Sequence, residues 1–343
     1  MEKIKKGYNL KITSLILAIT FFVTSTCYGI GLSNKLHLRT PLLDNSGQGR
    51  QRIEDGLAAV LKIMAIRYFQ NIGRADNAVI EKSKKWQIYP YDPFGVLPCK
   101  YFAIRVQGEE QDKYLMRLTD DSKDVLVIFA LPVSGLKPGH GLLIGEHLEI
   151  KEGDSLFDIG TGPISYFPIL SIRRGASYAI GAEINSTSES SSKDGTIFNR
   201  LEDNISIVHS DVFSAIGNRK FDVIVTNPPI LPASPKEKDV SGNVRLAGYD
   251  EAGYDGRAII DLIISQAGNH LNQGGRLIIG QFEFQGADKA FGDGKTTFEL
   301  LKEQGFEPRI AGEYEAPLTQ IIKNRLDYIG KVFPRYNFVE KKR

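Results

Sequence analysis

The apolar positions of this chain change their period along its length. Over residues 50–70, Ile53, Leu57, Val60, Leu61, Met64, Ala65 and Tyr68 recur at three- and four-residue steps, which predicts a helix with one apolar stripe. Residues 89–98 hold three prolines and a glycine and read as a loop. Short β-like runs follow at 101–106, 114–118 and 125–133, separated by charged turns. Residues 138–141 break the chain, and 142–148 then reads as a helix. From Ser155 onward the rhythm becomes strand, turn, helix. Strands are predicted at Leu156-Phe157, 178–182, 205–209, 221–226, 276–280, 307–314 and 326–333. Helices are predicted after the first strand, over 257–271 and over 298–304, while the serine-rich stretch 186–192 reads as a loop. This alternation predicts an α/β fold, a doubly wound and mostly parallel seven-stranded sheet behind a smaller N-terminal helical and β region. Ligands of such a sheet lie beyond the C-terminal ends of its strands.

The first residues follow a different logic. Lys3, Lys5, Lys6 and Lys11 lead into an apolar stretch over 12–26, and Cys27-Tyr28-Gly29 offers small residues around a cleavage point. That is the pattern of an export signal, and the run falls short of the roughly 20 apolar residues of a spanning helix. Residues 1–29 are therefore a signal-like or anchor segment, with 12–26 suited to membrane contact. Residues 30–49 form a linker, 50–139 the N-terminal region, 140–335 the α/β domain and 336–343 a basic tail.

Composition narrows the function classes only slightly. A chain of 343 residues, 42% hydrophobic and 24% charged, has an ordinary globular balance, which excludes a largely disordered, collagen-like or polytopic membrane protein. Lysine and arginine number 43 and aspartate and glutamate 41, so the net charge of +2 gives no overall argument for a nucleic-acid partner. Two cysteines, Cys27 and Cys99, are too few for a disulfide framework or a cysteine-rich zinc site. The five histidines show no ligand spacing, so no metal is expected.

Candidate chemistry gathers at four strand ends. Asp158-Ile159-Gly160-Thr161-Gly162 is a glycine-rich turn preceded by an acid. Glycines let the backbone turn sharply and approach a ligand closely. A carboxylate there would repel a pyrophosphate but accept bonds from an ammonium or hydroxyl, and no Gly-Lys-Ser/Thr follows as a P-loop needs. This favours S-adenosylmethionine (SAM) over ATP or NAD. Glu183 lies 25 residues after Asp158, a spacing at which an acid meets ribose hydroxyls. Asp211, after the third strand, is placed to bond an adenine amino group or to cap a helix. At the fourth end stands Asn227-Pro228-Pro229-Ile230. Pro229 holds Pro228 extended and removes a donor. The Asn227 side-chain carbonyl and the Pro228 carbonyl can then grip the two hydrogens of a planar NH₂ group and turn its lone pair toward a methyl donor.

These residues resemble, in order, the motifs of class I SAM-dependent methyltransferases, and Asn-Pro-Pro resembles that of their amino-methylating branch. The resemblance covers residues 135–335. Ala252-Gly253-Tyr254-Asp255-Gly256-Arg257, Gly274-Gly275 and Gln285 are similar to HemK-type glutamine N5-methyltransferases, which modify peptide release factors. Ser165-Tyr166-Phe167-Pro168-Ile169-Leu170 instead resembles rRNA adenine N6-methyltransferases. The resemblance implies Asn227, Pro228, Pro229 and Ile230 as the catalytic motif. It implies Asp158, Gly160, Thr161, Gly162, Glu183 and Asp211 as the SAM site. Three departures stand out: Ile164 where a third glycine is expected, Ile230 where an aromatic is usual, and a serine-rich 186–194 where a regular helix is expected. An aliphatic Ile230 suits a small amide better than a stacked purine.

The first expectation is therefore a SAM-dependent N-methyltransferase acting on a glutamine side-chain amide of a release-factor-like protein. The second is methylation of an exocyclic amine of an rRNA base. A non-catalytic, exported SAM-fold binding module is the rival of another class. Location divides the same way: SAM chemistry points to the cytoplasm, or to tethering at the inner membrane face, whereas residues 1–29 point to secretion.

Overall fold

In a computed structural model the described residues are 47–74, 81–92, 100–118, 126–130, 139–230, 252–253, 256–282, 285–287 and 294–314. Residues 1–29, most of the expected linker, the expected strand over 326–333 and the basic tail lie outside them. The chain divides into two compact units, one running to residue 128 except for 93–96, the other from residue 129 onward. No helix among the described residues is long and apolar enough to cross a membrane.

The first unit combines helix α1 (Gly47–Asn71) with a four-stranded sheet in the order β1 (Trp86–Pro90), β2 (Tyr101–Val106), β3 (Asp112–Leu118), β4 (Leu126–Ala130). The apolar stripe of α1 delivers Leu61, Ala65, Tyr68 and Phe69 to the core. There Phe69 meets Trp86 and Tyr114 at ring separations of 5.5 and 5.2 Å. Strand β1 corrects the expectation of a loop from residue 89. It pairs antiparallel with β2 as an edge strand, where a proline such as Pro90 costs no ladder bond. Across the first three strands, Arg105 donates to Asp112 and to the Tyr89 hydroxyl, both at 2.9 Å, and Tyr89 donates to Asp112.

The second unit is built on five parallel strands: β5 (Ser155–Ile159), β6 (Tyr178–Glu183), β7 (Ile205–His209), β8 (Phe221–Thr226) and β9 (Leu271–Ile279). Their order is β7-β6-β5-β8-β9. The strand order reverses between β5 and β8, the place where an open α/β sheet forms a ligand crevice. Helices α2 (His140–Glu146), α3 (Tyr166–Arg173), α4 (Ser186–Phe198), α5 (Ala258–Ala267) and α6 (Thr297–Glu303) complete the unit. Phe157, Phe221, Ile224, Ile263 and Leu271 belong to one buried cluster, with the rings of Phe157 and Phe221 stacked 5.0 Å apart.

Three predicted boundaries move. The expected helix over 257–271 ends at Ala267 in a 3-10 turn, and Leu271 instead opens β9 and joins the core. The Gly274-Gly275 turn becomes an irregularity inside β9: Phe221 pairs with Leu271 but Val223 with Arg276. The expected strand over 307–314 is unpaired and largely exposed chain, consistent with Pro308 lacking a donor. Among the described residues the parallel sheet therefore has five strands.

At the N-terminal end of the sheet, Asp222 acts as a clip. It accepts from the Ser155 amide and hydroxyl at 2.8 and 2.7 Å, and from Asn272 at 2.8 Å, joining β8 to both neighbours. Burial opposes its ionisation, but the hydrogen bonds from Ser155 and Asn272 outweigh burial and hold its carboxyl below the usual range. A depressed carboxyl stabilises the fold above its unfolded pKa, and that contribution is lost as pH falls through the folded value. Asp222→Asn is expected to lower the melting temperature at neutral pH. The gap from wild type should close as the pH drops below about 4, which thermal melts across pH will check.

Candidate active site

The C-terminal strand ends are joined edge to edge by hydrogen bonds. The Ser210 amide donates to Glu183 O, and the Gly160 and Thr161 amides donate to Ala182 O. The buried Thr226 hydroxyl donates to Ile159 O at 2.8 Å, and the Gly280 amide donates to Thr226 O at 3.0 Å. Asp158 and Asn227 thus sit on adjacent strands at the point where the sheet order reverses.

Asp158 is fully buried, and neither carboxylate oxygen has a hydrogen-bond partner among the described residues. Burial pushes its pKa up to about 8; the Thr161 hydroxyl acts in the opposite direction and the charge of Glu183 adds to the rise. The Thr161 hydroxyl is itself buried and makes no aligned bond. Beside these orphaned groups, Gly160 and Gly162 turn with φ of +70° and +64°, and a Cβ on either would enter open space. Unpaired acceptors beside an open glycine turn fit a ligand that carries an ammonium and hydroxyls.

Glu183 is 7% exposed and already engaged. One carboxylate oxygen accepts from the Gly162 amide and the other from the Asn185 amide, each at 2.9 Å. It therefore fixes the glycine turn and the start of α4 together. Asn185 in turn caps α4 by accepting from the Thr187 and Ser188 amides at 3.0 Å. This corrects the loop expected over 186–192 and restores the helix whose absence stood as a departure. Its inward face is made of small hydroxyl residues at a close approach: Ser188, Ser192 and Thr196 are at most 3% exposed, and the Ser165 hydroxyl donates to Ser192 O at 2.9 Å. Apolar periodicity carries no signal for a helix packed through hydroxyls. Ile164, in place of the expected glycine, is buried, and the left-handed φ of +50° falls on Ser165.

Asp211 is exposed at the end of β7, where its carbonyl and amide form a turn with Ser214. A cavity of about 620 Å³ between this turn and α5 takes in Asp211, Phe213 and His270, but none of Asp158, Glu183 or Asn227. The structure therefore groups Asp158, Thr161, the two glycines and Glu183 closely, with Asp211 at their margin.

On the other side of the crevice Asn227 is exposed, Pro228 buried, and Pro229 and Ile230 half-buried. The Asn227 amide lies between two glycines that the sequence reading passed over. A Cβ on Gly141 would stand 3.7 Å from its Nδ2, and one on Gly280 would stand 3.5 Å from its Oδ1. A further group acts from behind. Arg257 is 8% exposed and donates to Thr297 at 3.0 Å, to Asp261 at 2.7 Å and to the Gln285 carbonyl. The buried Gln285 side chain donates to Gly256 O and accepts from the Phe282 amide at 2.9 Å. Gly256 has a φ of +76° and abuts the Ile230 carbonyl, so this cluster backs the Asn-Pro-Pro-Ile turn. Gly256, Arg257 and Gln285 were visible in the sequence as motif residues, but nothing in their spacing shows that they bond one another. Among the described residues no three His, Cys, Asp or Glu side chains cluster as metal ligands.

The chain is similar to known methyltransferases. The family model "Methyltransferase small domain" matches residues 134–244. A protein of Methanocaldococcus jannaschii named "Putative protein N5-glutamine methyltransferase" is 34% identical over 182 residues, which cover 53% of this chain and 84% of that protein. This chain belongs to the HemK-type N5-glutamine methyltransferase family. A release factor glutamine methyltransferase of Aquifex aeolicus is 25% identical over 52% of this chain and 62% of its own length. A ribosomal protein uL3 glutamine methyltransferase of Xanthomonas campestris is 36% identical over 81 residues, a quarter of its length. As a HemK-type protein the chain is a SAM-dependent methyltransferase, and the doubly wound fold expected of that class is present.

The buried Asp158 makes the cofactor-free protein pH-sensitive. A carboxyl whose pKa is raised keeps its proton in the folded state while the unfolded chain has lost it, so stability falls as pH rises from about 4 to about 8. Asp158→Asn should melt above wild type in the absence of ligand, by a margin that widens over that range. Differential scanning calorimetry at several pH values measures it.

Proposed function

We propose that this enzyme transfers a methyl group from SAM to the side-chain amide nitrogen of glutamine in a protein substrate, with a release factor as the substrate class. The observation that carries the reading is the placement of Asn227, exposed at the switch point one strand away from the unpaired Asp158. Asp158, Thr161, Gly160 and Gly162 would hold the methionine end of the cofactor, Glu183 its ribose, and Asp211 its adenine amino group. The bound cofactor supplies an electrophilic methyl group. Asn227 and the Pro228 carbonyl hold the two amide hydrogens and point the nitrogen lone pair along the line of transfer. No strong base is required, because the proton leaves after the nitrogen has become cationic. Orientation of this kind can supply about 7–11 kcal/mol of the barrier.

The activities for which these relatives are named support glutamine as the acceptor. The stretch that resembles rRNA adenine methyltransferases forms α3, where Tyr166 and Phe167 are each 4% exposed, so these rings pack the core instead of offering bases a stacking surface.

Asn227→Ala is expected to cut turnover about a hundredfold or more, some 2.7 kcal/mol at about 1.36 kcal/mol per decade, with SAM affinity unchanged. Unchanged turnover defeats the assignment. Because Asp158 must ionise to accept from an ammonium, SAM affinity should rise between pH 6 and pH 8, and Asp158→Asn should flatten that rise; titration calorimetry reads both. Labelled methyl transfer to a release factor but not to ribosomal RNA is expected, and the reverse outcome overturns the substrate. For location we propose a cytoplasm-facing enzyme, since the chemistry needs SAM. A fusion of residues 1–60 to a reporter active only outside the cytoplasm should stay dark, and strong signal refutes this placement.

A further inference from the structure

We propose that His140 and Phe282 form the aromatic wall of the acceptor pocket, the position that Ile230 leaves without a ring. The proposal rests on the amide-methylating reading of the site. Two backbone positions flank the Asn227 side chain. A Cβ on Gly141, the second residue of α2, would stand 3.7 Å from its Nδ2, and one on Gly280, just past β9, would stand 3.5 Å from its Oδ1, so both glycines lie against that side chain. His140 is the immediate neighbour of Gly141, and Phe282 is two residues beyond Gly280. With consecutive Cα atoms 3.8 Å apart, both rings start within about 8 Å of the glycines that flank Asn227. The rings then meet edge to face, 4.8 Å apart at 84°. On this proposal the aromatic pair bounds the mouth of the site opposite Asn227.

Two further observations fix the pair in place. Gln285 is 2% exposed and accepts from the Phe282 amide while donating to the carbonyl of Gly256, a residue whose Cα faces the Ile230 carbonyl. The wall and the Asn-Pro-Pro-Ile turn are therefore held by one buried side chain. Burial lowers the pKa of His140, so the imidazole presents a neutral ring at neutral pH. A planar amide bound through its two hydrogens to Asn227 and Pro228 exposes its faces, and the edge or face of a neutral ring is a suitable neighbour for them. The Ile230 side chain is aliphatic and cannot supply that neighbour.

The test compares full-length wild type with His140→Ala, Phe282→Leu and Phe282→Tyr in steady-state methyl transfer to a release factor, with SAM affinity and melting temperature measured on each. Phe282→Leu keeps most of the volume and loses the ring, so the reading does not depend on a variant with a cavity. His140→Ala and Phe282→Leu should raise the acceptor KM about tenfold or more. Phe282→Tyr should stay within about threefold of wild type, and SAM affinity should stay within about twofold in all three. An unchanged acceptor KM in His140→Ala and Phe282→Leu overturns the wall. Loss of SAM affinity in step with KM also overturns it, since the pair would then serve the cofactor side. Transfer to RNA and not to the release factor overturns the glutamine reading alone, and the same KM ratios on RNA then decide the wall.

Discussion

The hydrogen bond from the Thr226 hydroxyl to the Ile159 carbonyl sits where the sheet order reverses, and the geometry of the site follows from it. Side chains on neighbouring parallel strands are separated by about 4.8 Å in the plane of the sheet. By pinning the end of β8 to the end of β5, Thr226 sets Asn227 and Asp158 at a fixed lateral step and a fixed stagger along the strands. The Gly280 amide, bonded to Thr226 O, extends the same register to β9. A hydroxyl in the last residue of a strand therefore governs the span that a methyl donor and its acceptor must bridge.

The two sides of the crevice are prepared differently. On the cofactor side the acceptors are buried and partly unpaired, and burial favours the protonated form of Asp158. That is stored instability, placed where a ligand can relieve it. On the acceptor side Asn227 is exposed and framed by glycines, with the polar cluster of Arg257, Gln285, Thr297 and Asp261 holding the backbone from behind. Rigidity there comes from a satisfied network, since a buried guanidinium without partners would be costly.

Much of this was legible in the sequence. The strands ending in Asp158, Glu183, Asp211 and Asn227 were marked by apolar runs that stop at a polar residue, and the structure places each at a C-terminal strand end. The glycine turn and the Asn-Pro-Pro motif declared themselves through residues that restrict or free the backbone. What stayed hidden lacked a local signal. Strand β1 was masked by Pro90 and the two prolines that follow it, because edge pairing depends on a partner remote in sequence. The end of α5 shifted because Leu271 is drawn into the core, an effect of tertiary packing on helix length. Gly141 and Gly280 matter only through what approaches them, and one residue type among many gives no hint of that. Residues 307–314 are exposed chain and not a strand, since a fitting composition does not by itself make a segment pair.

Helix α4 shows how packing can hide inside a sequence that looks featureless. Its inward face is made of Ser188, Ser192, Gly195 and Thr196, and a Cβ on Gly195 would stand 3.7 Å from the Ile164 carbonyl oxygen, already in van der Waals contact. The distance between this helix and the glycine turn is set by side-chain volume, and there is almost none to vary. Drift at these four sites is confined to the smallest residues, although the neighbouring exposed positions are free to wander. A stretch with the composition of a tether is in effect a spacer of fixed thickness, and its tolerance to change is that of a core.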